Sequence, residues 1–240
     1  MKKALVTGAS TGIGRVCAIE LSKAGYEVGL VARNKTQLEE TKNLVENVNG
    51  KAHIFECDLS DLAHVNKLIA EVLKWTDSLD LIANIAGIWH GVDEVYAGVD
   101  FAKLEQKTIL DTYMVGFTTP TLLVHGLLPI MKKGSAIVNL SGTFEYGVWG
   151  GVPYFTSKRA LEDLTVGLAQ ELKESGIRVM CVSPADTATQ EYTKFFPEDS
   201  VGANDPVEVA KMVVQMAEEG ENGKFVMIRK GVLVENGYHK

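Results

Sequence analysis

Cysteine is scarce in this 240-residue chain: Cys17, Cys57 and Cys181 stand far apart, and no C-x-x-C pair occurs. That pattern excludes a disulfide framework and suits reduced, buried thiols in a cytoplasmic protein. The five histidines (His53, His64, His90, His125 and His239) lack ligand spacing, so no metal site is expected. Basic residues are also in deficit. Lys and Arg number 24 against 31 Asp and Glu, a formal charge of -7. No local Lys/Arg run offsets this, which argues against a nucleic-acid partner. Lys2-Lys3 followed by Ala4-Leu5-Val6 is like the start of a secretory leader, but the apolar run stops at Thr7 and no h-region follows. No stretch approaches the roughly 18 apolar residues of a membrane span, so no membrane partner is expected. No repeat, low-complexity tract or Pro/Gly-rich linker divides the chain, and one domain over 1–240 is expected.

What is present is an alternation. ALVTG, EVGLVA, AHIFEC, LDLIANIAG, SAIVNLSG, GIRVMCVSP and KFVMI read as seven short strands rich in Val, Ile and Leu. Between them, apolar residues recur three and four apart over Ile13–Ala24, Gln37–Val48, Leu62–Leu73, a longer stretch around Leu104–Leu128, Leu161–Leu172 and Val207–Met216. Near-continuous apolar strands are buried on both faces, so this alternation predicts an α/β fold with a parallel sheet between helices. Ligands of such sheets bind at the carboxyl ends of the strands, and the residues that follow strands carry the interest.

TGASTGIG, Thr7 to Gly14, follows the first strand and opens the first helix. Its GASTG core matches G-x-S-x-G, the turn that carries a hydrolase nucleophile, with Ser10 in the nucleophile's place. It equally reads as a glycine-rich turn that brings a pyrophosphate to a helix N-terminus, where unpaired N–H groups and the helix dipole favour negative charge. The hydrolase reading fails on order. Ser10 has one strand before it, and the later His it needs near the end is met only by His239.

TGASTGIG, CDL (Cys57 to Leu59), NIAG (Asn84 to Gly87), Ser141, YFTSK (Tyr154 to Lys158) and PADTAT (Pro184 to Thr189) occur in the order of the short-chain dehydrogenase/reductase family. The gap from Ser141 to Tyr154, thirteen residues, is also the family's, and the chain resembles its single-domain, non-extended branch. The resemblance implies a Rossmann-type doubly wound parallel sheet of about seven strands with helices on both faces. It also implies an oxidoreductase that interconverts a carbonyl and an alcohol by hydride transfer from a nicotinamide cofactor.

The residues supply a rationale. Tyr154 and Lys158 are four apart and project from one helix face. A free phenol titrates near 10 and is a poor acid–base catalyst at neutral pH, but an adjacent ammonium favours its ionised form. Tyr154 is thus the candidate general acid/base, Ser141 the hydrogen-bonding partner of the substrate oxygen, and Lys158 the group that tunes Tyr154. The alternative is an ordinary exposed helix pair. One departure stands out: where the family carries Asn in a V-N-x-x-G pattern, DTYMVG (Asp111 to Gly116) has Tyr113.

For the cofactor, the family pattern places Gly8, Ser10, Thr11, Gly12, Ile13 and Gly14 on the pyrophosphate. Asp58 and Leu59 fall at the adenine, Asn84, Ala86 and Gly87 along the adenosine ribose, Tyr154 and Lys158 at the nicotinamide ribose, and Pro184, Thr187 and Thr189 at the carboxamide. Ala32 stands where an NAD-preferring enzyme has Asp, and Arg33 follows it. A guanidinium binds a 2′-phosphate and no carboxylate repels one, so NADP(H) is expected, with NAD(H) possible. Substrate candidates are Trp89, His90, Phe144, Trp149 and Tyr192, a largely aromatic set that suits a small-molecule carbonyl or alcohol substrate. The long helices resemble those through which family members form homodimers or homotetramers. A non-catalytic NADP(H)-sensing protein is the alternative that the Tyr113 replacement raises.

Overall fold

Ala4, Leu5 and Val6 are each 0 % exposed, which is why the first apolar run becomes a central strand, β1 (Lys2–Thr7), covered on both faces. The computed structural model describes residues 1–91, 93–143, 150–230 and 232–235. After β1 the chain runs through α1 (Gly12–Lys23), β2 (Tyr26–Ala32), α2 (Lys35–Asn47), β3 (Lys51–Glu56), α3 (Leu62–Trp75) and β4 (Leu79–Asn84). Next come α4 (Gln106–Tyr113), a π-helical turn (Met114–Thr118), α5 (Thr119–Leu127), β5 (Met131–Leu140), α6 (Val152–Glu171) and β6 (Arg178–Pro184). The chain then adds α7 (Gln190–Phe195), α8 (Pro206–Glu219), β7 (Phe225–Arg229) and β8 (Val232–Glu235).

These strands form one sheet in the order β3-β2-β1-β4-β5-β6-β7-β8. All pairs are parallel except the last, β7 with β8, where Val226 faces Glu235 and Arg229 faces Val232. Strand alternation divides the core. Ala4, Val6, Val28, Leu30 and Val138 join α1 and α8 on one face, while Leu5, Val31, Phe55, Ile82 and Ile137 join α3 and α5 on the other. The strand order reverses between β1 and β4, which both pair in the centre of the sheet. The loops after these two strands therefore meet in a crevice.

Three expectations change. The sheet has eight strands among the described residues, because Val232–Glu235 adds an antiparallel edge. The long central helical stretch starts at Gln106 and contains the π-helical turn, while Tyr154 and Lys158 lie in the first turns of α6, as their spacing implied. Finally, Gln106–Ile130 is long and apolar enough, by length and composition, to cross a bilayer. Here Val115, Leu123, Val124 and Leu127 of that stretch are buried in the core below the sheet.

Candidate active site

The turn from β1 into α1 differs in its capping from the starts of α2, α3 and α8. Asn34 accepts the Gln37 N–H at 3.1 Å, Asp61 accepts the Ala63 N–H at 2.7 Å, and Asp205 accepts the Val207 N–H at 2.8 Å. Thr11, the residue before α1, makes no side-chain capping bond. The leading N–H groups of α1 thus face outward for another acceptor. The turn is also tight: a Cβ on Gly14 would lie 2.2 Å from the Gly8 carbonyl oxygen, so no other residue fits. Thr7 fastens this turn to the next one. Its hydroxyl accepts the Ile85 N–H at 3.0 Å and the Ala86 N–H at 3.1 Å.

From this turn a cavity of about 280 Å³ runs across the carboxyl ends of the strands. In the order of the strands they follow, Arg33, Asp58 and Leu59 (after β2 and β3) line one end, Gly8, Ser10, Thr11, Gly12, Ile13 and Gly14 (after β1) the middle, and Ala86, Gly87, Trp89, His90, Tyr154, Lys158 and Thr189 the other. Burial alone would raise the Asp58 carboxyl, but the Ser60 N–H and hydroxyl and the Arg33 and Lys107 cations outweigh it and hold Asp58 below the usual carboxylate range.

At the far end, Lys158 Nζ donates to the Leu140 carbonyl at 2.7 Å and stands 5.5 Å from the Tyr154 ring centroid. A Cβ on Gly87 would lie 3.3 Å from both Lys158 Nζ and Tyr154 Cε2, so a glycine here keeps the backbone out of their way. Burial pushes Lys158 down to about 8, opposed by Cys181 and Glu162, and pushes Tyr154 up to about 12. The expectation that the ammonium lowers the phenol is therefore reversed, because desolvation of the phenolate dominates and Nζ is held on a carbonyl. Ser141 is 2 % exposed, and its Oγ donates to Glu162 Oε1 at 2.5 Å.

A second cavity of about 620 Å³ meets the first at Tyr154, Trp89 and Thr189. Ser141, Pro184, Thr187 and Tyr192 line it, with Tyr96, Thr108 and Thr112 beside them. One wall is aromatic: the Trp89 ring centroid is 5.9 Å from that of Tyr192 and 6.1 Å from that of Phe196, which ties the loop after β4 to α7.

Several expected site residues lie elsewhere. The Asn84 side chain is 1 % exposed and donates to Asn139 Oδ1 at 2.8 Å, so it joins β4 to β5 inside the sheet and does not border the first cavity. Pro184 and Thr187 line the second cavity and not the first. Tyr113 accepts a hydrogen bond from the Thr156 hydroxyl at 3.0 Å and lines neither cavity; the neighbouring Thr112 faces the second. Phe144 and Trp149 lie outside the described residues. Sequence reasoning missed Thr7, Leu140 and Glu162. Of these, only Glu162 left a signal, its place one helical turn beyond Lys158.

The profile of the short chain dehydrogenase family matches residues 2–199, and the chain belongs to that family. It is accordingly an oxidoreductase. An uncharacterized oxidoreductase of Bacillus subtilis, YhxC, is 27% identical over 97% of this chain and 85% of its own length. A fatty acyl-CoA reductase of Acinetobacter baylyi is 32% identical over 89% of this chain and 72% of its own. Among solved structures, the angucycline C-6 ketoreductase LanV with bound NADP superposes with a TM-score of 0.84 at 26% identity, covering 94% of this chain and 93% of its own. The nicotinamide dinucleotide that this family uses fits the residues present: uncapped α1 N–H groups, a turn with no room for a Cβ at Gly14, and a cavity that ends on Tyr154 and Lys158.

Proposed function

We propose that the chain is an NADPH-dependent reductase of apolar carbonyl compounds, with Tyr154 as the general acid. The observation that carries the reading is the position of Tyr154, with Lys158 beside it, at the junction of a dinucleotide-shaped cavity and a separate, larger, aromatic-walled one. The bound cofactor supplies the hydride. Tyr154, raised to about 12, keeps its proton at neutral pH, which is the state a carbonyl reduction needs. Its phenol donates that proton to the carbonyl oxygen as the oxygen gains charge. The Lys158 ammonium then stabilises the phenolate until solvent reprotonates it.

The preference for NADPH rests on Ala32 and Arg33, which line the first cavity where a ribose acid would stand in an NAD enzyme. LanV, whose structure holds NADP, supports the same reading. Asp58 and Leu59 fall on the adenine side, Ala86 and Gly87 along the ribose, and Thr189 at the carboxamide end, by the same family pattern.

The test is NADPH consumption, followed by absorbance, against aryl aldehydes, aryl ketones, quinones and oxoacyl thioesters, with NADH and the Tyr154→Phe variant alongside. Turnover that prefers NADPH and falls by a factor on the order of 100 to 10,000 in the variant is expected. Full turnover by Tyr154→Phe overturns the role of the phenol.

A further inference from the structure

One charge beside the glycine turn has the wrong sign for a dinucleotide. Of the charged side chains lining the first cavity, Arg33 and Asp58 follow β2 and β3, and Lys158 stands beside Tyr154. Glu191, half-buried in the first turn of α7, lines it as well. Its carboxylate reaches the glycine turn: a Cβ on Gly12 would lie 3.9 Å from Glu191 Oε2. Gly12 is the first residue of α1, whose leading N–H groups have no side-chain cap. An acid therefore stands beside the place built for an anion.

The acid is carried on a fixed arm. The Thr189 hydroxyl accepts the Tyr192 N–H at 3.2 Å and so caps α7 on the residue next to Glu191. Farther along, ring centroids of Tyr192 and Trp89 are 5.9 Å apart, those of Phe195 and His90 5.4 Å, and Lys194 Nζ is 3.1 Å from Asp93 Oδ1. Held at these points, α7 keeps the Glu191 backbone at the cavity and leaves its side chain to turn. Among the described residues Glu191 forms no ion pair, so no cation cancels its charge. Like charges in a cleft with low-dielectric walls repel more strongly than they do in water. A pyrophosphate in the glycine turn meets that repulsion whichever dinucleotide bears it. Weaker binding also has a use, because release of product limits the rate of many enzymes.

We propose that Glu191 is an internal repulsive group that lowers the affinity of the glycine turn for dinucleotide phosphates and so speeds release of the spent cofactor. The proposal rests on the reading of the first cavity as the cofactor site. It separates two kinds of selection: Arg33 acts on the 2′-phosphate, and Glu191 acts on the pyrophosphate that NADPH and NADH share.

The experiment measures dissociation constants of NADPH and NADH by fluorescence titration at low salt. Release of NADP⁺ is followed by a stopped-flow chase with excess NADPH. The full chain is compared with Glu191→Gln and with Glu174→Gln. Glu174 is exposed beyond the far end of α6, so its change matches the net charge without touching the cavity. Glu191→Gln is expected to bind both cofactors about tenfold tighter and to release NADP⁺ about tenfold more slowly. High salt should shrink both gains. Glu174→Gln is expected to match the unaltered chain. An acid that serves only the α7 dipole gives the opposite result, weaker binding and a lower thermal midpoint in Glu191→Gln, and that overturns the proposal. So does equal tightening in Glu174→Gln, or tightening toward NADPH alone. A gain confined to the association rate overturns the part in release. Glu191→Ala carries the same test if the Gln variant does not fold. If the unaltered chain binds both cofactors and Glu191→Gln binds them no tighter, the proposal fails and the cofactor reading stands. Binding by neither protein overturns both, whereas binding gained only in Glu191→Gln bears the proposal out.

Discussion

Lys158 carries its charge where water hardly reaches, and the pH dependence follows from that. Its folded-state value is lowered to about 8, against 10.5 for the free side chain. Below about 8 both folded and unfolded chains hold the proton, and burial of the ammonium is a standing cost. Between about 8 and 10.5 the unfolded chain binds more protons, so the contribution of Lys158 to stability grows as pH rises. Activity runs the other way, because an uncharged Lys158 cannot stabilise the Tyr154 phenolate. The rate of carbonyl reduction is expected to fall as pH passes about 8, while the thermal midpoint of Lys158→Met, compared with the unaltered chain, shows its largest gain below that pH. A reduction rate that climbs steadily above that point contradicts the assignment. Arg33 gives a second prediction. Arg33→Ala is expected to raise KM for NADPH about tenfold or more, the worth of a charge-assisted contact to phosphate, and to leave KM for NADH nearly unchanged. Equal changes for both cofactors would place the 2′-phosphate elsewhere.

At the scale of elements, local patterns were legible and long-range pairings were not. The glycine turn, the apolar strand runs and the Tyr154–Lys158 spacing each lie within a few residues, so the sequence carries them openly. Asn84 and Asn139 are 55 residues apart, and nothing local says that one amide will bond the other inside the sheet. The same holds for Ser141 and Glu162, 21 apart. Tyr113 sits at a position that family pattern assigns to the site, yet its longer side chain reaches the Thr156 hydroxyl. β8 went unread because its four residues pair antiparallel outside the βα rhythm. Thr7 is a case where the element-level role yields a test. Its oxygen accepts two N–H groups of the segment that follows β4 and so clamps the two loops of the crevice together. Thr7→Val removes that acceptor at a site 2 % exposed, with both N–H groups left unpaired. A loss of about 1–3 kcal/mol in denaturant unfolding is expected, together with weaker NADPH binding by fluorescence titration. Loss of stability with unaltered cofactor affinity would confine Thr7 to folding.

Over the whole molecule the charge is -7, and part of that excess lines the larger cavity. Asp186 and Asp199 line the larger cavity, and no Lys, Arg or His does so among the described residues. Tyr192 reports the local field: burial first, then the Asp186 and Asp199 carboxylates, push its phenol upward. A low-dielectric cleft focuses such a field, which disfavours an anion at the stage of approach as well as in the cavity. An aryl ketone bearing a carboxylate is therefore expected to show kcat/KM about tenfold below that of its neutral amide at low ionic strength, which corresponds to about 1.4 kcal/mol. Added salt should narrow the gap by screening the approach, and Asp186→Asn should narrow it further at any salt. A carboxylate substrate turned over as fast as its amide at low salt would mean that the two aspartates do not govern entry. The aromatic wall of Trp89, Tyr192 and Phe196 would then carry the selection by shape alone.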